Sequence, residues 1–122
     1  MKILVIHGHP DKESYCQAIF QTIVSNLDTS RHEINTISLN EEDFDPVLRY
    51  GYRKRMDEDP FILRSQELIQ WADHLIFVYP IWWSSMPSLL KGWIDRVFTP
   101  GIAYSANDQG SFIWNYLRGK QF

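Results

Sequence analysis

Thiols, positive charge and long apolar runs are all scarce in this chain of 122 residues. The single cysteine, Cys16, excludes an internal disulfide framework, and neither Cys-x-x-Cys nor a Cys/His zinc spacing occurs. No window approaches the roughly 18 consecutive apolar residues of a membrane span. The opening Met1-Lys2-Ile3-Leu4-Val5-Ile6 is too short for a signal-peptide core and has no small-residue cleavage site, so a cytoplasmic protein is expected. With 12 Lys and Arg against 15 Asp and Glu the net charge is -3. That argues against a nucleic-acid partner, because duplex binding rests on many phosphate contacts from Lys and Arg. The one basic cluster, Arg49, Arg53, Lys54 and Arg55, is followed at once by Asp57, Glu58 and Asp59 and reads as a solvated, salt-bridged segment. His7 and His9 could share a metal only if their side chains converged. On a strand that runs into a loop they read as structural or phosphate-facing, and no metal site is expected.

Phosphate-loop signatures are missing as well. The segment His7-Gly8-His9-Pro10-Asp11-Lys12-Glu13-Ser14-Tyr15-Cys16 contains neither G-x-G-x-x-G nor G-x-x-x-x-G-K-[ST], which argues against a Rossmann dinucleotide turn and a P-loop. No acidic pair ends the first strand and no Asp ends the third, which disfavours a response-regulator receiver.

The residues that are present alternate between strand and helix patterns. Apolar, β-branched runs predict strands at 2–7, 32–38 and 74–79, and helical spacing predicts helices at 14–27, 60–72 and 88–98. Ser14 is a candidate N-cap, and Pro60 stands at the favoured first helical position. A turn is expected at Phe44-Asp45-Pro46-Val47 and a helical stretch is possible over 48–56. Three strand-helix units at this spacing predict one α/β domain over 1–122, with a parallel sheet and right-handed crossovers. The first and third strands are continuous apolar runs, as expected when helices cover both faces.

Two loops stand out against that frame. Backbone amides at the start of the first helix, with Ser14 and His9 beside them, could hold a phosphate; an ordinary N-cap with an exposed His9 is the plainer alternative. After the third strand comes Tyr79-Pro80-Ile81-Trp82-Trp83-Ser84-Ser85-Met86-Pro87. A loop that only reverses the chain wants Gly, Asn, Asp or Ser, whereas two indoles bring flat apolar faces to the end of the sheet where ligands bind. The alternative is that both indoles simply cover the core or fill an interface.

The loop at 9–16, Asp43-Phe44-Asp45-Pro46-Val47, Trp71-Ala72-Asp73, and above all the block from Tyr79 through Met86-Pro87-Ser88-Leu89-Leu90-Lys91-Gly92-Trp93-Ile94-Asp95-Arg96-Val97-Phe98 to Gly101-Ile102-Ala103-Tyr104, carry a resemblance. The chain resembles the NAD(P)H:quinone oxidoreductase (DT-diaphorase-like) family, flavodoxin-fold reductases that use FMN or FAD. The resemblance implies a flavodoxin-like doubly wound parallel sheet of strand order 2-1-3-4-5, of which this chain would supply 2-1-3. It implies that His9, Ser14, Tyr15 and Cys16 surround the flavin phosphates and ribityl chain. Pro80, Ile81, Trp82 and Trp83 would line the isoalloxazine, while Trp83 and Tyr104 would meet the substrate.

The implied chemistry is two-electron, ping-pong hydride transfer from NAD(P)H through the flavin to a quinone or similar small aromatic acceptor. The flavin carries it, so no catalytic acid or base is expected among the side chains. A homodimer is implied, with the aromatic residues Phe112, Trp114 and Tyr116, together with Tyr104 and Trp93, in need of cover. Lys91, Asp95 and Arg96 are expected to build helix surface and dimer contact.

Cys16 stands where many relatives have Asn, and the Thr/Gly-rich third flavin loop has no counterpart, nor do the Tyr and His that follow it. The expectation is therefore an incomplete flavodoxin-like domain that stops where a fourth strand would begin, a poor enzyme on its own with low flavin affinity because one of three enclosing loops is absent. A truncated non-catalytic or regulatory module with weak or no flavin binding is the alternative function.

Overall fold

The computed structural model describes residues 1–56, 59–102, 105–106 and 112–113, the last two pairs by backbone alone. Three parallel strands form the main sheet in the order β2-β1-β3: β1 (Lys2–His7), β2 (Glu33–Ser38) and β3 (His74–Val78). Helix α1 (Tyr15–Asn26) connects β1 to β2, α2 (Pro60–Trp71) lies between β2 and β3, and α3 (Ser88–Val97) follows β3. A separate antiparallel pair, β4 (Ser105–Ala106) with β5 (Phe112–Ile113), was not anticipated by the apolar pattern.

The period-two alternation of β1 divides the core. Ile3 and Val5 face α1 and pack with Phe20 and Val78. Leu4 and Ile6 face the other way and join Ile62, Ile69, Leu75, Leu90, Trp93 and Val97 under α2 and α3. The apolar run of β1 is thus covered on both sides, as a central parallel strand requires. Within the larger cluster the Trp93 indole N–H donates to Ser65 Oγ at 3.0 Å; the biggest buried side chain thus has its polar atom satisfied and, contrary to expectation, needs no cover from a second subunit.

Helix α2 begins as its sequence suggests. Asp59 is the N-cap, its carboxylate accepts from the Phe61 amide at 2.9 Å, and Pro60 opens the first turn. The segment at 48–56 forms turns instead of a helix, because Gly51 adopts φ +56, outside the helical region. Within it Arg49 pairs with Asp45, and Arg53 and Lys54 lie over the Tyr50 ring; Asp57 and Glu58 lie outside the described residues. The segment ahead of it is held tightly, since a Cβ at Gly92 of α3 would stand 2.3 Å from the Pro46 carbonyl oxygen.

Among the described residues no strand pairs with the outer edge of β3. Ile76 and Phe77 are consequently only half-buried, and an apolar groove runs beside the strand between Leu75, Phe77, Met86, Leu90 and Ile94. This edge has no proline, bulge or inward charge to discourage pairing. The polypeptide of residues 1–122 is therefore expected to self-associate in a concentration-dependent way. Light scattering that shows a stable monomer across the micromolar range would contradict that expectation.

Candidate functional site

The loop after β1 folds back on itself through short-range bonds. His9 Nδ1 accepts from the Asp11 amide at 2.9 Å, Asp11 Oδ1 accepts from the Glu13 amide at 3.0 Å, and the Asp11 carbonyl accepts from the Ser14 amide at 3.3 Å. Gly8 anchors its start: its amide donates to the Val78 carbonyl at 2.8 Å, and a Cβ there would stand 2.8 Å from a Leu90 methyl. Ser14 occupies the N-cap position of α1 but makes no capping bond, and its hydroxyl is buried without a partner. Asp11 closes a turn ahead of the helix by accepting from the Glu13 amide, and no side chain caps α1. The first turn of α1 carries no acidic residue, so the positive end of the helix and the amides of Tyr15 and Cys16 are not neutralised from within it. Cys16 is half-buried against the Phe20 cluster and has a packing role.

The loop after β3 is a tight reversal. Trp82 N–H donates to the Ser85 carbonyl at 2.8 Å, and Ser85 N–H donates back to the Trp82 carbonyl at 3.0 Å. Between them Trp83 and Ser84 both take positive φ, +52° and +60°, the handedness of turns that usually hold Asn and Gly. Left-handed backbone costs a non-glycine residue roughly 1–2 kcal/mol. Trp83 recovers nothing by burial, because it is 100% exposed, with Ile81 at 67% and Trp82 at 44% beside it. A strained turn that holds an indole in open solvent is what a ligand clamp requires and a core plug does not.

The two loops meet. The His9 ring packs edge-on against the Trp82 ring, with centroids 5.2 Å apart and an interplanar angle of 81°. Of the residues singled out in the sequence, His9, Ser14, Tyr15 and Cys16 therefore share one end of the sheet with Pro80, Ile81, Trp82 and Trp83. Tyr104, Trp114 and Tyr116 lie outside the described residues, and Phe112 is described by backbone alone.

Arg96 is not a surface residue, contrary to expectation. Its side chain is 3% exposed and donates to the Asp45 and Met56 carbonyls, so α3 carries a buried cation because the loop before α2 needs its carbonyls satisfied. Lys91 and Asp95 do pair with each other on the exposed face. Among the described residues no three His, Cys, Asp or Glu side chains converge as a metal site, and no helix is long and apolar enough to cross a membrane.

Asn40, just after β2, escaped the sequence reading. Its amide nitrogen lies 3.2 Å from Nδ1 of the fully buried His7 and donates to the His9 carbonyl at 3.3 Å. An Asn after a strand carries no signal of its own. A histidine ending a buried strand run was the visible half of the pair.

Burial holds the His7 imidazole below its ordinary value of 6.5, with His9 adding to the effect; the backbone carbonyls of His7 and His9 and the Glu41 carboxylate oppose it without prevailing. The unfolded chain then binds more protons than the folded one as pH falls below about 6.5. Stability supplied by neutral His7 is present above that pH and is lost as pH falls toward the folded value. Urea midpoints should decline on acidification through pH 6, and His7→Phe should flatten that decline. An unchanged slope in the variant would acquit His7.

The residues at the two loops suit a phosphorylated, flat aromatic cofactor: an unpartnered buried hydroxyl beside uncapped helix amides on one side, bare indole faces on the other. The whole chain, residues 1–122, matches the family described as having a flavodoxin-like fold. Its structure is similar to that of Smu.1420 from Streptococcus mutans UA159, with a TM-score of 0.84 and 41% identity over 98% of this chain and 64% of that one. It is also similar to the NAD(P)H:quinone oxidoreductase from Methanothermobacter marburgensis, with a TM-score of 0.72 and 29% identity over 86% of this chain and 57% of the other. Among curated relatives, the ribosyldihydronicotinamide dehydrogenase [quinone] of Rattus norvegicus is 30% identical over 98% of this chain and 59% of its own length. The chain thus spans 52% and 59% of the lengths of two of the curated relatives it matches. The sheet order agrees with the match over the whole chain, and the chain belongs to the flavodoxin-like fold family, with quinone reductases among its relatives.

Proposed function

We propose that this chain binds a flavin, FMN or FAD, and serves NAD(P)H-dependent reduction of a quinone or a similar small aromatic acceptor. The observation that carries the reading is Trp83, held fully exposed in a left-handed turn whose neighbour Trp82 touches His9 of the opposite loop. The names of the relatives set the reaction class. When bound, the flavin supplies the two-electron chemistry between donor and acceptor. The chain's own contribution is binding and orientation. Ser14 and the amides of Tyr15 and Cys16 receive the phosphate, and Pro80, Ile81 and Trp82 wall one side of the ring. Trp83 offers the face on which nicotinamide and quinone stack, which fixes their distance and angle to the ring. No side chain at the site needs to act as acid or base.

We assign the same end of the fold to a homodimer contact, since Tyr15, Ile81 and Trp83 are each largely exposed there. A single domain over residues 1–122 and a cytoplasmic location complete the reading.

Replacing Trp83 with Ala tests it. Base–aromatic stacks elsewhere are worth about 1–3 kcal/mol, and a loss on that scale is expected in flavin or acceptor binding. Unchanged flavin affinity together with unchanged quinone turnover would remove Trp83 from the site. Flavin binding without any turnover would favour a regulatory module.

A further inference from the structure

We propose that Asn40 is a positioning residue for the phosphate loop, acting by pinning the His9 carbonyl and by locking buried His7 as the neutral tautomer protonated on Nε2. The inference deepens the flavin reading and rests on it only where flavin affinity is concerned.

A side-chain amide nitrogen donates and never accepts. Asn40 Nδ2 stands 3.3 Å from the His9 carbonyl and 3.2 Å from His7 Nδ1, so its two protons serve two acceptors. Turning the amide over would set Oδ1 against the His9 carbonyl, two acceptors in contact, so the carbonyl fixes the orientation of Asn40. His7 Nδ1 must then present a lone pair, and in a neutral imidazole the proton lies on Nε2. The ring is boxed in: it is fully buried and meets Phe20 edge-on at 5.1 Å, and among the described residues neither its Nε2 nor Asn40 Oδ1 has a hydrogen-bond partner, so the lock leaves a donor and an acceptor unsatisfied and stands on the His9 carbonyl alone.

The consequence reaches the ligand end through His9. Its backbone is held by Asn40, its Nδ1 accepts from the Asp11 amide that begins the turn into α1, and its ring edge meets Trp82. One amide side chain after β2 thereby sets the spacing between the phosphate loop and the indole turn. Nothing in that chain of contacts touches the reacting atoms.

The test uses the 122-residue chain with 15N-labelled histidine, together with Asn40→Asp and Asn40→Ala. Asp has the shape of Asn but can only accept, so Asn40→Asp should move the His7 proton to Nδ1, while the unaltered chain shows Nε2 protonated and Nδ1 bare. An Nδ1–H in the unaltered chain, or no change in Asn40→Asp, overturns the lock.

The second arm titrates FMN and riboflavin, which share the ring and differ in the phosphate. Asn40→Ala should weaken FMN roughly three- to tenfold, the scale of one neutral hydrogen bond, and leave riboflavin within about twofold. Equal weakening of both, or of neither, overturns positioning of the phosphate end. If the unaltered chain binds neither flavin, the proposed function fails, and the ring-nitrogen shifts still decide for or against the lock between Asn40 and His7.

Discussion

Arg96→Met should lower the unfolding free energy by about 3–5 kcal/mol, the scale of breaking a buried ion pair from one side. In the native chain the guanidinium donates to the Asp45 carbonyl at 2.8 Å and to the Met56 carbonyl, and it lies 3.7 Å from the Asp59 carboxylate. Asp59 also caps α2. One side chain therefore ties both ends of the segment between β2 and α2 to α3. Methionine fills much of the volume but satisfies none of the three oxygens, and unpaired buried acceptors carry their full desolvation cost. Lys would restore charge but not the fork that reaches two carbonyls in different directions. Urea unfolding of both variants checks this. A loss below about 1 kcal/mol in Arg96→Met would mean that the arginine does not organise the segment.

Gly92→Ala is the second large effect, and its sign is what makes it informative. Alanine in mid-helix normally stabilises relative to glycine by about 1 kcal/mol. Here the added methyl would lie 2.3 Å from the Pro46 carbonyl oxygen, 2.5 Å from Pro46 Cβ and 2.9 Å from its carbonyl carbon. These are backbone or ring atoms, with no flexible side chain to swing aside. The segment at Pro46 must retreat from α3, which also strains the neighbouring bond from Arg96 to Asp45. A net loss of about 1–3 kcal/mol is expected from overpacking, in place of the gain that helix propensity alone forecasts. Thermal or urea unfolding showing Gly92→Ala as stable as the parent chain would contradict the close approach.

The parts of the fold that follow from a repeating physical signal were legible before any coordinates. Period-two and period-3.6 patterns located three strands and three helices within a residue or two of their ends, and the continuous run of β1 marked it as the covered strand. The two adjacent indoles at a strand's carboxyl end marked the loop at 79–87 as unusual, and the structure leaves Trp83 fully exposed there. What escaped depends on contacts distant in sequence. No local pattern tells that Arg96 turns inward to serve carbonyls forty and fifty-one residues earlier. None tells that Asn40 reaches back thirty-three residues to His7.

Other misses were local competitions won by geometry. Gly51 at positive φ broke the helical stretch considered at 48–56, and Ser14 stands at the N-cap of α1 without making the capping bond expected of it. The strain at Trp83 was invisible because left-handed backbone is normally written in Asn and Gly.

A titration of FMN into the 122-residue chain, followed by flavin absorbance and tryptophan fluorescence and completed by anaerobic addition of NADPH, tests the central claim most directly. The account predicts saturable binding at one site per chain, quenching that falls in Trp83→Ala, and bleaching of the bound flavin by NADPH. No saturable binding up to millimolar FMN, or binding indifferent to Trp82, Trp83 and Ser14 alike, would contradict it.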